Sequence, residues 1–458
     1  MNRTLYLPIE IIAREFDAKC LIAHRALARG YDVIMARTTK HFRQLIINRQ
    51  PGIYFDKSLP FNPETYKNLK DAGIVPVALD EEGLVITQDE DYRSRVLPEA
   101  LESMPLFFAW GQNNRRMILK YAQNKITSDN IKITGSPRLD LLRPGYNDIF
   151  KKRAEKIIKK HDRFVLINSN FVFGNLHPDY GDLIEYLTNL HRIKSAEDEA
   201  YYRNAERYKF NLLDNYVDLV KKLSAEFPEI NFIVRPHPSE RAETWHEKLG
   251  KINNVKCIFE GSANEWIYAS EGLIHSGCTT GIEAWIMRKP VIRYNPQAES
   301  EYEPELPNRF GVYASSYNEV ASYIKKLIKG QLGDTFKSQL PLASEYMESL
   351  EGDLAADKIM DHIDSIELSQ SRRDVSGDNK CDSVMLKKIK SFLSHHYYSV
   401  KAIKQMNSKK DNLKFKKFPG ITKKMIDENL TFFNGLSENK VDYYIENIHK
   451  NVLLIGRK

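Results

Sequence analysis

The sequence predicts an α/β protein of two domains, each organised on a parallel sheet, and three observations lead there. A chain of 458 residues is long for one hydrophobic core and suits two α/β domains of ordinary size. Short apolar runs of β type alternate with segments of helical period, which is the pattern of βαβ units. Within 231–283, two such runs end in polar turns. Phe232-Ile233-Val234 stops at Arg235-Pro236-His237-Pro238, and Leu273-Ile274 runs into a small polar loop from His275 to Gly281. That loop opens a helix in which Ile282, Ala284, Trp285 and Met287 follow a period near 3.6. Strand, polar turn and helix together suit phosphate, because the helix N-terminus offers free N–H groups and positive dipole, and glycine lets the backbone approach. Strand ends about forty residues apart fit adjacent strands of one sheet, with the ligand at their carboxyl edge.

The first domain is expected over 1–145. LYLPIEI reads as its first strand, followed by a helix over 17–29 that ends at Gly30. YDVIMAR, 51–55, 75–79, 106–110 and 131–134 read as further strands, with helices over 40–48, 62–72, near 91–97 and over 114–122. Pro144-Gly145 and a charged helix mark the crossing to a second domain, expected over 146–368. FVLINSNF restarts the alternation, an irregular insertion covers 172–198, and a long helix is expected over 201–227. A strand at 290–294, a Pro-rich loop at 296–307 and a helix over 317–329 follow. Residues 369–379 read as a polar linker opening a basic helical tail, 369–458.

Charge is uneven. The net +7 conceals 19 Lys/Arg against 9 Asp/Glu in 371–458, a surplus of ten, so the preceding residues are net about −3. That distribution argues against nucleic-acid binding by the core. It suggests an acidic partner for the tail, such as an anionic membrane surface met by Tyr397, Tyr398, Phe415 and Phe418, the plainer alternative being a helical cap. Cys20, Cys257, Cys278 and Cys381 are widely spaced, with no disulfide or zinc framework. The absence of a signal peptide or membrane-spanning run predicts a cytoplasmic protein, peripheral to the membrane at most.

Several residues have chemistry suited to a site. His237, held between Pro236 and Pro238, is rigidly aimed and suits a phosphate, as does Arg235. Ser276, Gly277, Thr279 and Thr280 offer hydroxyl and N–H groups, and Glu283 one turn further on suits ribose hydroxyls. Plain helix capping is the simpler alternative for this loop. In Asp80-Glu81-Glu82-Gly83, neighbouring carboxylates are expected to repel one another and raise a pKa toward that of a general base. A solvated acidic turn is the plainer account. Asn168-Ser169-Asn170 reads as a nucleotide loop, while Glu10, Arg14 and Glu15 stand where an acceptor would lie; Arg138 is a weaker candidate. Asp89-Glu90-Asp91 reads as a solvated helix start, and no metal site is expected.

Taken together, Glu81-Glu82-Gly83, His237-Pro238 and the Ser276, Thr279, Thr280 loop resemble the three motifs of bacterial CMP-sialic acid transferases and of bacterial Kdo transferases of GT-B fold. REFDAKCLIAHRALARG, ALDEEGLV, ITGSPRLDLL, INSNF, RPHPSE and KFPG resemble the bacterial surface carbohydrate biosynthesis protein family over nearly the whole chain. The resemblance implies a GT-B fold, two facing Rossmann-like domains with a central cleft. It implies a metal-independent glycosyltransferase without cofactor, moving Kdo or another nonulosonic acid from a CMP-activated donor to a lipopolysaccharide or capsule acceptor. Glu82, or Glu81, would be the catalytic carboxylate and His237 the phosphate contact. The same architecture serves UDP-sugar 2-epimerases, and RPHP with GSPRxD also resembles CDP-glycerol glycerophosphotransferases. A non-catalytic polysaccharide-assembly scaffold is the alternative from another class.

Overall fold

The computed structural model describes residues 3–47, 51–59, 62–82, 84, 92–93, 95–297, 301–368 and 418–458. Gly83, the Asp89-Glu90-Asp91 run, the 369–379 linker and Tyr397, Tyr398 and Phe415 lie outside them.

Strands β1 (Thr4–Ile9), β2 (Asp32–Arg37), β3 (Gly52–Asp56), β4 (Ile74–Leu79), β5 (Leu106–Ala109) and β6 (Ile131–Ile133) follow the expected order. Strands β7 (Phe164–Asn168), β8 (Asn231–Arg235), β9 (Val255–Cys257), β10 (Gly272–His275), β11 (Val291–Tyr294) and β12 (Val312–Ala314) build a second sheet. Its order is β12-β11-β10-β7-β8-β9, with parallel pairing throughout. β1, β3 and β7 are buried along their whole length, as expected of parallel strands covered on both faces. One face of the second sheet packs Ile167, Val234 and Ile274 against Leu212, Tyr216 and Val220 of the helix Ala196–Glu226. That helix starts five residues before its expected position, because Ser195 and Asp198 form a capping box. The expected irregular insertion contains the helix Leu183–Asn189.

Two compact units result, one of residues 1–79, 99–107 and 360–458, the other of 80–98 and 108–359. The expected adjacency of the two motif strands needs correction: β7 lies between β8 and β10. From β7 the strand order runs outward through β8 and β9 on one side and through β10, β11 and β12 on the other. This makes β7/β10 the topological switch point, whose carboxyl edge is the usual ligand site.

The tail differs most from expectation. Its described part is a helix, Lys423–Leu436, and two strands, β13 (Tyr443–His449) and β14 (Val452–Arg457). β14 pairs antiparallel with β2, extending the first sheet to β13-β14-β2-β1-β3-β4-β5-β6. Asn429 of the helix donates to Asp17 (2.7 Å), and Asn434 meets His24 (3.0 Å), on the helix Ile12–Ala28. Phe418, expected among membrane-facing aromatics, is buried beneath the Arg37 guanidinium. The periodicity of VLLIGR is too short to distinguish an isolated helical piece from an edge strand. Among the described residues, no helix is long and apolar enough to cross a membrane.

Candidate functional site

Arg235, Asn168 and His275 end β8, β7 and β10 in register and so share one face of the sheet. Arg293 of β11 continues the row beside His275. His275 is fully buried with neither ring nitrogen hydrogen-bonded, and the buried Asn168 Oδ1 is likewise unpartnered. Burial pushes the His275 imidazole down to about 4, with Arg293 acting in the same direction.

The organiser of the neighbouring turns is Glu240, which composition and periodicity do not mark. It is buried and accepts from Ser169 Oγ (2.8 Å), the Phe171 N–H (2.8 Å), Trp245 Nε1 (3.2 Å), the His237 N–H (3.4 Å) and Asn175 Nδ2 (3.5 Å). One carboxylate therefore sets the turn after β7 and the turn after β8 together. Its pKa is raised because burial outweighs the donors, none of which is a cation. His237 Nδ1 accepts from the Ser239 N–H (3.2 Å), which leaves its proton on Nε2. Burial holds this imidazole down to about 4, so the ring is neutral and carries its one N–H at Nε2. The Pro238 that fixes it is exposed. Arg235 turns elsewhere: it donates to the Glu260 carbonyl (2.5 Å) and lies 5.2 Å over the Trp266 ring. Burial lowers its pKa to about 10. It braces the 259–266 segment, contrary to the expected phosphate contact.

The Ser276 loop also differs from a free phosphate cradle. Ser276 Oγ donates to Glu303 (2.9 Å), the Gly277 N–H to Asn308 Oδ1 (2.8 Å), and Thr280 Oγ1 to Cys278 Sγ (2.9 Å). Gly277 sits at φ +59°, where only glycine is unstrained. Thr279 caps the helix Thr280–Ile286 without a side-chain cap bond. Asn170 Nδ2 donates to the Gly277 carbonyl (2.7 Å), so the turns after β7 and β10 are joined.

The acidic turn reaches the same helix through Arg138. Its guanidinium donates to the Glu81 carbonyl (2.9 Å), faces the Glu81 carboxylate at 3.8 Å and the Glu283 carboxylate at 3.5 Å. Arg95 takes the other two acids, gripping Asp80 with two bonds (2.6 and 3.0 Å) and Glu82 at 3.0 Å. The expected mutual repulsion of three carboxylates is thus countered by two guanidiniums supplied from 95 and 138. Glu81 is nearly buried, whereas the Glu82 side chain is 43% exposed. Hydrogen bonds from His237 and Ser169 to Glu240 and from Asn170 to Gly277, joined by the chain itself at 169–170 and 277–280, therefore connect His237 to the helix bearing Glu283. Arg138 then joins that helix to Glu81.

In the other unit, Glu15 is fully buried and caps the start of its helix, accepting from the Glu10 and Ile11 N–H groups (2.9 and 3.1 Å). Glu10 pairs with Lys57. Glu15 therefore has a structural role, while Glu10 and Arg14 lie beside it at the carboxyl end of β1. Among the described residues, no three His, Cys, Asp or Glu side chains are grouped to hold a metal ion.

The paired α/β units and the site at a sheet's switch point define the class: a twin-Rossmann protein of the GT-B type. No family model matches the chain, and no curated protein matches it. Among solved structures, the UDP-GlcNAc 2-epimerase of Methanocaldococcus jannaschii is similar with a TM-score of 0.50 and 12% identity, covering 80% of this chain and 99% of that one. The Neisseria meningitidis UDP-GlcNAc 2-epimerase bound to UDP-GlcNAc gives a TM-score of 0.47 at 13% identity, covering 79% and 99%. Anabaena HepE in complex with UDP and glucose gives 0.44 at 12%, covering 80% and 100%. The first likeness shows a shared fold; the other two, below 0.5, carry no argument.

Proposed function

We propose that this chain is a nucleotide-sugar enzyme, and that a UDP-sugar 2-epimerase is the best-supported activity. The observation that carries the proposal is the Glu81–Arg138–Glu283 cluster, which joins an acidic turn to the helix after the Ser276 loop. Inversion at C2 takes the C2 proton to a general base, a part a carboxylate can play, as the nucleotide leaves C1 to give a C1–C2 double bond; returning a proton to the opposite face of C2 and the nucleotide to C1 completes it. Glu81 or Glu82 fills that role, Glu283 meets ribose hydroxyls, and His237 Nε2 donates to a phosphate oxygen of the departing nucleotide. The solved structure that shares this fold at a TM-score of 0.50 is a UDP-GlcNAc 2-epimerase, which supports this reading.

Transfer of a sugar acid from CMP is the second reading. In its favour, the Glu82 carboxylate assigned by the motif resemblance is solvent-accessible. Its acceptor would be a surface glycan, with an anionic membrane surface as a further partner. One experiment separates the two. The protein is incubated in D2O with UDP-GlcNAc, and separately with CMP-Kdo, and followed by NMR. Loss of the C2–H signal with a new C2 epimer supports the first reading. Exchange absent from UDP-sugars but CMP released from CMP-Kdo moves the assignment to the second. Calorimetry that finds no nucleotide binding at all sinks both and leaves the assembly scaffold.

A further inference from the structure

At the carboxyl end of β10, where the switch point directs a ligand, the structure already holds an internal anion. Glu303 is buried (6% exposed side chain) and ion-paired through Oε1 to Lys209 of the long helix, itself 5% exposed. Its Oε2 accepts from Ser276 Oγ (2.9 Å) and from Asn308 Nδ2 (3.0 Å). Three donors from three separate segments thus converge on one carboxylate, an arrangement that equally suits a phosphate oxygen. The carboxylate lies directly on the turn: a Cβ added to Gly277 would stand 2.7 Å from Oε2 and 2.9 Å from Pro304 Cδ. Burial alone would raise the Glu303 pKa, but Lys209, Asn308 and Ser276 hold it below the usual carboxylate value, so the occupant is charged.

A buried ion pair is poor value for stability, because desolvation offsets its Coulomb attraction. Placed at a ligand edge, the same pair keeps a set of anion donors desolvated and aligned while the ligand is away. We propose that Lys209 Nζ, Ser276 Oγ and Asn308 Nδ2 form an anion-binding site, and that Glu303 is its built-in occupant, displaced by an anionic group of the ligand. The shared ligand chemistry is a phosphate or a carboxylate. Assigning the group to a nucleotide sugar rests on the function proposed above, whereas the anion site itself does not. Displacement swings only the Glu303 side chain aside: Asn308 stays tied to the turn by the Gly277 N–H (2.8 Å), and the Tyr201 hydroxyl, donating to the Glu301 carbonyl (3.2 Å), fastens the segment to the long helix.

The test is anion rescue in the full-length chain. Glu303→Ala leaves three donors around a missing carboxylate. Its thermal midpoint is expected to climb by several degrees at about 100 mM inorganic phosphate or acetate, against sodium chloride of matched ionic strength. Wild type and the Glu303→Ala/Lys209→Met double variant are expected to follow the chloride control. A larger response to acetate marks a carboxylate site and a larger response to phosphate marks a phosphate site. A single variant no more responsive than its chloride control, or a double variant that responds equally, overturns the proposal. Should Glu303→Ala not fold, the isosteric Glu303→Gln decides by calorimetry with UDP and CMP. Removing the competing charge is expected to raise affinity roughly threefold or more; unchanged or weaker binding overturns the displacement of Glu303, while absent binding of both nucleotides removes the nucleotide-sugar reading. Rescue of Glu303→Ala by phosphate without any nucleotide binding keeps the anion site and removes the nucleotide-sugar reading.

Discussion

Gly281→Ala is expected to destabilise the protein because it drives a methyl group into His275. A Cβ at Gly281 would lie 2.3 Å from Nε2, 2.4 Å from Cε1 and 2.8 Å from Cδ2 of that ring. Non-bonded carbons settle near about 3.5–4.0 Å, so the ring or the helix must shift by about 1 Å. The ring has little room to do so: it is fully buried, between the register neighbours Asn168 and Arg293. Alanine gains about 1 kcal/mol over glycine in helix propensity. Overpacking a close-packed interior costs about 1–3 kcal/mol, and a contact this short belongs at the upper end. The net expectation is a loss of about 1–2 kcal/mol. His275→Ala alone leaves a cavity and costs about 2–4 kcal/mol by analogy with other large-to-small changes. In the double variant the new methyl enters the space vacated by the ring, so its loss should fall short of the sum by about 1–3 kcal/mol. Urea unfolding followed by tryptophan fluorescence reads all four species, since Trp285 is buried on the same helix. A Gly281→Ala variant as stable as wild type, or strictly additive losses, would refute the packing account.

Acid sensitivity follows from the same histidine. Its folded value of about 4 lies below the unfolded value of about 6.5, so the unfolded chain takes up the proton first as pH falls. Stability is therefore retained above about 6.5 and lost toward 4, by up to ~3 kcal/mol, and urea midpoints of His275→Gln should lack that part of the slope. Arg138→Met leaves the nearly buried Glu81 without its guanidinium. Discounted for partial exposure, this should cost about 1–3 kcal/mol and weaken nucleotide binding, measured by calorimetry on the folded variant. Glu240→Gln turns an amide N–H toward groups that themselves donate, so denaturation should show a loss of about 1–3 kcal/mol. Because Glu240 sets both turns, binding should weaken with it. Ending the chain at residue 417 removes β14 from β2 and Asn429 from Asp17, and circular dichroism with limited proteolysis should report an unfolded first unit. A stable, cooperatively folding truncation would show instead that the tail is detachable.

The sequence by itself determined the alternation of strands and helices and the two sheets, and it marked the turns that are the candidates for chemistry. These are local matters: period, β-branched runs, glycine and proline at turns, and capping groups act within a few residues and can be read along the chain. His237 is fixed by its flanking prolines, and Gly277 does take the positive φ that a tight turn requires. The tertiary structure alone decided which partners those residues meet. Arg235 faces a carbonyl and an aromatic ring, Ser276 faces Glu303, and the acidic turn is neutralised by Arg95 and Arg138. Glu240 and Glu303 became visible only when strands far apart in sequence were laid side by side, because a buried carboxylate is defined by donors that converge in space. The last strands show the same limit from another side. VLLIGR is an isolated apolar run in a basic segment until β2 offers it an unpaired edge, and pairing across more than 400 residues leaves no mark in local periodicity.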